Sequence, residues 1–390
     1  MKKTSRSKRI SSSAKRVRPL RGVKRIVVKV GSGVIAARGK LRPKAVGALA
    51  ADVTAIREAG NDVVMVVSGA VAAGFAALEL DTPPTGVVER QAAASIGQYR
   101  LMGTLARAFH KHGANVAQLL MMSEDIDNRR RFISARHTMY RLLAHGIVPI
   151  INENDPLADD EAKIGDNDHL AALVTSVISA DLLVILSSVA GVYRNGSGEV
   201  IPQVDIGSSI DEHITSAMSE AGVGGMRAKV SAARLASQWG VPTIIASGGQ
   251  PGLLPRIIAG EPHGTMFVPG PEKLSSRKRW IAVRTKSRGC VHVDDGARKA
   301  VVERGASLLP AGITAVEGRF QMGDRIDVRD GAGTLFAVGL SSYSSEEVRR
   351  MQGKRRTEFK NILGYEYVDE IIDRDDLVLV SEREAKGLAS

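Results

Sequence analysis

Four segments rich in polar residues and glycine carry the groups that could do chemistry. The first is VVKVGSG at 27–33. Lys29 stands near the end of its apolar run. Gly31, Ser32 and Gly33 form a turn whose N–H groups could cradle phosphate oxygens, the glycines letting the backbone approach a ligand closely. The spacing is neither that of a Walker loop nor GxGxxG, and a lysine at a strand end is equally ordinary without a ligand. The second, VVSGAVAAG at 66–74, leaves a strand through Ser68, Gly69 and Ala70 and opens a helix. Small residues there expose helix N-terminal amides to an anion, and Ser68 also reads as the N-cap. The third is a pair, IINEND at 150–155 and KIGDND at 163–168. Turn chemistry accounts for one such cluster. Two clusters with a lysine between them better suit a wall that recognises a zwitterion, its carboxylates and carboxamides facing an ammonium group, its amides and lysine a carboxylate. Asn152, Asp155, Lys163, Asp166, Asn167 and Asp168 are the candidate members. The fourth, VGGMRAK at 223–229, leads from Val223, Gly224 and Gly225 into helical Met226, Arg227, Ala228 and Lys229. Glycines beside a lysine suit a loop that closes over phosphates; a C-cap turn is the plainer reading.

The chemistry is bounded by what these segments lack. HExxH, DFG and GxSxG are missing from the sequence, and of eight histidines only His169 touches one of the segments. A hydrolase or an alcohol kinase would need a general base. A carboxylate acceptor would not, because a glutamate-type carboxyl with a pKa of about 4.3 is already ionised at neutral pH. Phosphoryl transfer to it needs alignment and charge neutralisation from lysines, backbone amides and Mg2+ carried on the phosphates, with no metal held by the protein itself. One cysteine, Cys290, excludes an internal disulfide and any cysteine-based zinc site, and fits a reducing cytoplasm. Nothing in the sequence marks an electropositive partner that would activate it as a nucleophile.

The elements that must position these groups alternate. Apolar β-branched runs at 25–30, 62–67, 116–120, 147–151, 182–186 and 242–246 read as strands covered on both faces. Helical patterns lie between them, at 43–59, 133–144, 169–179 and 226–239. Repeated strand–helix–strand units imply an α/β three-layer sandwich with a mainly parallel sheet, in which ligands sit beyond the carboxyl ends of the strands. The apolar stretch at 170–193 is interrupted by Asp181 and reads as a buried helix and strand, not a membrane span. After Gly260, prolines and glycines mark a linker at 269–279. Beyond it, short strands at 289–293, 318–320, 324–328 and 334–340 and helices near 296–304 and 345–351 suggest a separate β-rich domain over 280–385. Its Asp294-Asp295 and Gly323-Asp324 read as cap or turn residues. All the chemical segments lie within 23–268, so a chain ending near Ser276 is expected to keep the chemistry.

The formal charge of +12 is local. Nine lysines and arginines and no acid occupy residues 1–22, and without them the charge falls to +3. Such a Ser-rich basic tail reads as disordered. Near-neutral charge in the body and 4% aromatic residues argue against RNA as the main ligand.

Taken together, VVKVGSG, VVSGAVAAG, IINEND, KIGDND and GVGGMRAK resemble, in order and spacing, the glutamate 5-kinases of the amino acid kinase family over about residues 24–268. GDRIDVRDGAGTLFAVGLSSYSS and ILGYEY resemble a PUA domain, a small β-rich barrel. The resemblance implies ATP and L-glutamate as substrates, Mg2+ on the nucleotide, and a cytoplasmic homo-oligomer. Glutamyl phosphate reductase and RNA, through the PUA-like part, are further candidate partners. It assigns Lys29 to the transferred phosphate, Lys229 to the nucleotide loop and Asp168 to orienting both lysines. Ser68, with Gly69 and Ala70, Asp155 and Asn167 are assigned to glutamate, and Asn152, Lys163 and Asp166 to the same wall. Gly31, Ser32, 223–229 and the residues after the fifth strand are assigned to ATP. Where the family has a Thr-Asp or Ser-Asp pair, this chain has Ser187-Ser188. The alternatives are another carboxylate kinase of the same family and an RNA-binding or RNA-modifying protein.

Overall fold

The computed structural model describes residues 20, 22–157, 167–195, 198–205, 208, 210, 225–269, 287–364 and 368–380. Lys163, Asp166, Val223 and Gly224 lie outside the described residues, as do the N-terminal tail up to residue 19 and positions 270–286. By contacts the chain forms two units, Met1–Glu124 with Thr138–Lys273, and Asp125–His137 with Leu274–Ser390.

In the first unit, eight strands form one sheet. They are β1 (Arg25–Val30), β4 (Asp62–Val67), β5 (Asn115–Met121), β6 (Ile147–Glu153), β7 (Leu182–Ser187), β8 (Gln203–Asp205), β9 (Thr243–Ser247) and β10 (Thr265–Val268); β2 (Ala36–Ala37) and β3 (Lys40–Leu41) pair separately. The order is β5-β6-β4-β1-β7-β9-β10-β8. Pairing is parallel from β5 to β9, and β10 is antiparallel to β9. The chain builds outward from β1 to β4 on one side and returns to β7 on the other. The loops beyond the carboxyl ends of these strands therefore diverge and leave a crevice.

The helices are α1 (Ser32–Ile35), α2 (Pro43–Glu58), α3 (Ala70–Gly74), α4 (Val87–His110), α5 (Ser123–Asp127), α6 (Arg129–Ala144), α7 (Asn167–Val177), α8 (Met226–Gln238) and α9 (Leu253–Ile258). Alternate residues of β1 separate the two faces. Ile26, Val28 and Val30 join the core made with α2, α4 and α9, including Val46, Leu49, Leu101 and Leu254. Val27 is also fully buried but points the other way, with Lys29, toward the layer of α7 and α8. Pro43 opens α2 at its first turn, where a missing N–H does no harm, and Gly60, at φ 92°, follows its end.

The long helix α4 is not singled out by sequence periodicity, because Gly97 and Gly103 interrupt it. Its glycine has a packing reason. A Cβ on Gly97 would lie 1.8 Å from the carbonyl oxygen of Ala70, and one on Gly74 1.8 Å from that of Ala93. The backbones of α3 and α4 are thus in direct contact. Gly97→Ala is expected to force the helices apart and lower stability by about 1–3 kcal/mol, read by chemical unfolding; an unchanged midpoint would contradict this close contact.

The second unit carries a five-stranded sheet ordered β12-β11-β13-β14-β15, with β11 (Gly289–Val293), β12 (Ile313–Gly318), β13 (Arg325–Arg329), β14 (Leu335–Leu340) and β15 (Leu377–Leu379). β12 ends where the sequence suggested a strand at 318–320. Gly318 sits at φ 78°, with no room for a Cβ against Arg288 and Gly289, so the chain turns there and Phe320 drops into the core. Asp294 caps the helix Asp295–Arg304 through the N–H of Ala297, and Ser344 and Glu347 form a capping box on Ser345–Met351. Asp324 accepts the N–H of Gln321 in a tight turn, with Gly323 at φ 86°.

Arg136 is fully buried in this unit. Its Nη1 lies 2.5 Å from Asp376, and its Nη2 lies 3.4 Å from Asp373 and from Asp375. A chain ending near Ser276 would lose all three aspartates together with the rest of the unit that covers Arg136, leaving segment 125–137 without its packing partners. The expectation that such a truncated chain behaves normally therefore meets a specific obstacle inside the second unit. Among the described residues, no helix is long and apolar enough to cross a membrane.

Candidate active site

The parallel register brings the first, second, fourth and fifth apolar runs to a common end. Lys29 pairs with Val66 of β4 and Ile185 of β7, and Val66 with Ile151 of β6. Gly31, Ser68, Asn152 and Ser187 therefore all leave the same edge of the sheet within two residues of that row.

Beneath this edge, on the α7–α8 face, lies a buried ionic cluster. Asp168, in the first turn of α7, receives Lys29 Nζ on Oδ1 at 2.7 Å and Lys229 Nζ on Oδ2 at 3.1 Å. Lys29, Asp168 and Lys229 are 4%, 2% and 7% exposed. Burial alone would push the carboxyl pKa up, but the two ammonium groups outweigh it and hold the group below its ordinary value. Asp168 is therefore an anion at neutral pH, and it holds two ammonium groups in a desolvated place. Such a site attracts an anion far more strongly than a surface lysine does. Lys229 opens into the site from the first two turns of α8, whose N-cap is Gly225. Met226 and Ala228 are half-buried beside it and Arg227 is exposed.

A second buried group adjoins the ends of β6 and α7. Asn167 Nδ2 donates to Asn152 Oδ1 at 3.1 Å, and both carboxamide oxygens accept the N–H of Glu153. Asn152 Nδ2 donates at 2.6 Å to Gln98 Oε1 on α4. Gln98 Nε2 is buried and without a hydrogen-bond partner among the described residues, and so is Asp155 Oδ1. Buried polar atoms are normally satisfied, so an orphaned donor and an orphaned acceptor in one wall point to a polar ligand. Burial raises the Asp155 carboxyl from 3.8 to about 6, although Arg90 on α4 pulls it down. Gln98 and Arg90 were not among the sequence candidates. The available signal was a glutamine inside the small apolar stretch of 92–101, which becomes informative only once α4 is known to reach β6.

Two expectations are corrected. Ser68 is not the N-cap of α3; the cap is Gly69 at φ 118°, and no side chain caps the helix. The turn after β4 takes a left-handed residue at Gly69, and Ser68 directly follows the strand, its N–H donating to the carbonyl of Val30. Ala70 begins the helix, fully covered. Gly31 does not make its close approach to open space. Its N–H donates to the carbonyl of Leu186 at 2.9 Å, and a Cβ would press on that oxygen at 3.2 Å. The glycine lets β1 and β7 stay together past their ends. Ser32 then opens α1, and its Cα lies against Gly69, so the turns after β1 and β4 are adjacent.

Ser187 closes β7 opposite Ser247 of β9 and is buried, whereas Ser188 is exposed. Neither supplies a carboxylate.

The amino acid kinase family model matches residues 24–247 and the PUA domain model residues 289–363. The chain is 46% identical to a glutamate 5-kinase of Syntrophotalea carbinolica over 92% of its own length and 97% of that protein. It is 45% identical to the glutamate 5-kinase of Geobacter sulfurreducens, over 92% and 98%, and 42% identical to that of Methylococcus capsulatus, over 92% and 98%.

Proposed function

Because the chain belongs to the amino acid kinase family and, within it, to the glutamate 5-kinases, we propose that the buried Lys29–Asp168–Lys229 cluster carries transfer of the γ-phosphoryl group of ATP to the side-chain carboxylate of L-glutamate. The product is L-glutamyl 5-phosphate, the first step toward proline. The cluster is the observation that bears most weight: two ammonium groups on opposite oxygens of one buried carboxylate.

In the proposed reaction an oxygen of the glutamate carboxylate bonds to the γ-phosphorus as the bond to the β–γ bridging oxygen breaks, and ADP leaves with the electron pair. No proton need be removed from the nucleophile, which fits a cluster made of two lysines and an aspartate. Charge moves from the phosphoryl group toward the leaving oxygen, and Lys29 and Lys229 stabilise it from two sides. Asp168 holds both ammonium groups at fixed separation before substrate arrives, so little reorganisation remains for the reaction itself. Both oxygens of Asp168 are occupied by lysines, which suits Mg2+ entering on the ATP phosphates and not as a protein-held ion; there it would neutralise phosphate charge. Asp155 Oδ1 is suited to the α-ammonium group of glutamate and Gln98 Nε2 to a substrate oxygen, with the Asn152–Asn167 pair fixing the wall between them.

The test is coupled ADP release with ATP and Mg2+ across glutamate, N-acetylglutamate, aspartate and UMP. Release is expected with glutamate alone. A preference for any other acceptor would reject the proposed wall, and tight, salt-sensitive retention of RNA without glutamate-dependent release would favour an RNA-directed function.

A further inference from the structure

The outer face of the C-terminal sheet brings together a thiol, an imidazole and a carboxylate. Cys290 and His292 are two residues apart on β11, so both leave the same face of the strand. Val291 and Val293 leave the other face and are fully buried in the core of the unit. β12 runs antiparallel to β11 and sets Glu317 directly opposite Cys290. The ligand atoms of Cys290, His292 and Glu317 lie within 4.8 Å of one another, and His292 Nε2 is 3.0 Å from Glu317 Oε1.

We propose that Cys290, His292 and Glu317 form a binding site for one zinc ion that clips β11 to β12. A single cysteine had argued against any cysteine-based zinc site. The cross-strand register overturns that, because it supplies a nitrogen and an oxygen ligand that are not neighbours of the thiol as a sequence motif. One sulfur, one imidazole nitrogen and one carboxylate oxygen match the ligand preferences of Zn2+ and not those of Mg2+ or Ca2+, which take oxygen alone. Tetrahedral zinc with these ligands needs them about 3.5 Å apart. The contraction falls on the mobile members, since the Glu317 side chain is 68% exposed and that of His292 21%, while Cys290 is fixed on the strand. Asp327 of β13 flanks Cys290 on the other side, but Arg325 and Arg329 hold it at 3.5 and 3.6 Å. It stays out of the first coordination sphere, and water takes the fourth position. On binding, a zinc–sulfur bond replaces the thiol S–H bond and the proton passes to solvent.

The chain's one cysteine makes the site directly observable. Co2+ substituted for Zn2+ gives a near-ultraviolet sulfur-to-metal charge-transfer band only where a thiolate is a ligand. Titrated with Co2+, the full-length protein is expected to develop this band, saturating at one ion per chain, and to lose it when Zn2+ is added. Cys290→Ser should show no band. His292→Ala and Glu317→Gln, both at accessible side chains, should each weaken Co2+ binding by at least about tenfold while glutamate-dependent ADP release stays unchanged. Absence of the band at excess Co2+ would overturn the proposal. So would equal affinity in wild type, His292→Ala and Glu317→Gln, which would mark a lone thiol beside an ordinary surface ion pair.

Discussion

Lys29→Ala and Lys229→Ala are each expected to lower kcat by roughly 100- to 1000-fold, about 3–4 kcal/mol of transition-state stabilisation, with a much smaller change in the KM for glutamate. The size follows from burial: both ammonium groups are almost sealed from water and are held on Asp168 at 2.7 and 3.1 Å. Neither has freedom to be replaced by solvent when charge moves. Each single variant leaves Asp168 one lysine partner, so the carboxylate is not orphaned and the fold should survive. Asp168→Asn is different, because it leaves two buried ammonium groups facing each other without an anion between them. It should lose both activity and thermal stability. The check is kcat by coupled ADP release on samples whose unfolding transitions have been recorded. A folded Lys29→Ala or Lys229→Ala with near-wild-type kcat would refute the assignment.

Asp155→Asn is expected to raise the glutamate KM by roughly 30- to 1000-fold, about 2–4 kcal/mol, with the ATP KM nearly unchanged. Here function and stability should move in opposite directions. Burial raises the folded pKa of Asp155 from 3.8 to about 6. A raised carboxyl favours the folded state while protonated. Its contribution is therefore present below about 3.8 and is lost as pH rises toward 6, leaving an unliganded penalty on the order of 3 kcal/mol at neutral pH. Asparagine removes the buried charge, so the unliganded variant should melt no lower than wild type at pH 7, and higher if the wall accommodates the amide. In wild type, kcat/KM for glutamate should fall as pH drops through about 6, since the protonated carboxyl cannot pair with the α-ammonium group. Asp155→Asn should lack that acidic limb. A variant that loses ATP affinity instead, or one that keeps the limb, would show that Asp155 serves the other half of the site.

The sequence by itself determined the α/β alternation, the ends of most strands and the positions of the polar segments. β1 and β4 coincide with their apolar runs because a strand covered on both faces is apolar along nearly its whole length, so its limits are written in composition. Lys29 was legible as a site candidate because it interrupts such a run, and Asp168 and Lys229 because they end the polar segment KIGDND and the glycine-led segment VGGMRAK. Their mutual arrangement was not, since Asp168 lies 139 positions beyond Lys29 and only the shared sheet face brings both lysines onto its carboxylate. Tertiary structure alone decided the role of α4. Glycine is a poor helix former, so Gly97 reads locally as a break, yet direct backbone contact with α3 requires it and thereby carries Gln98 to Asn152. The same holds for the grouping of Asp125–His137 with the C-terminal residues, where a buried Arg136 finds three aspartates more than 200 residues away. It holds again for Cys290, His292 and Glu317, which only an antiparallel register makes neighbours. Local patterns record which face of an element is buried; which distant polar groups share that burial is set by strand order, register and helix contact, and these are properties of the assembled chain.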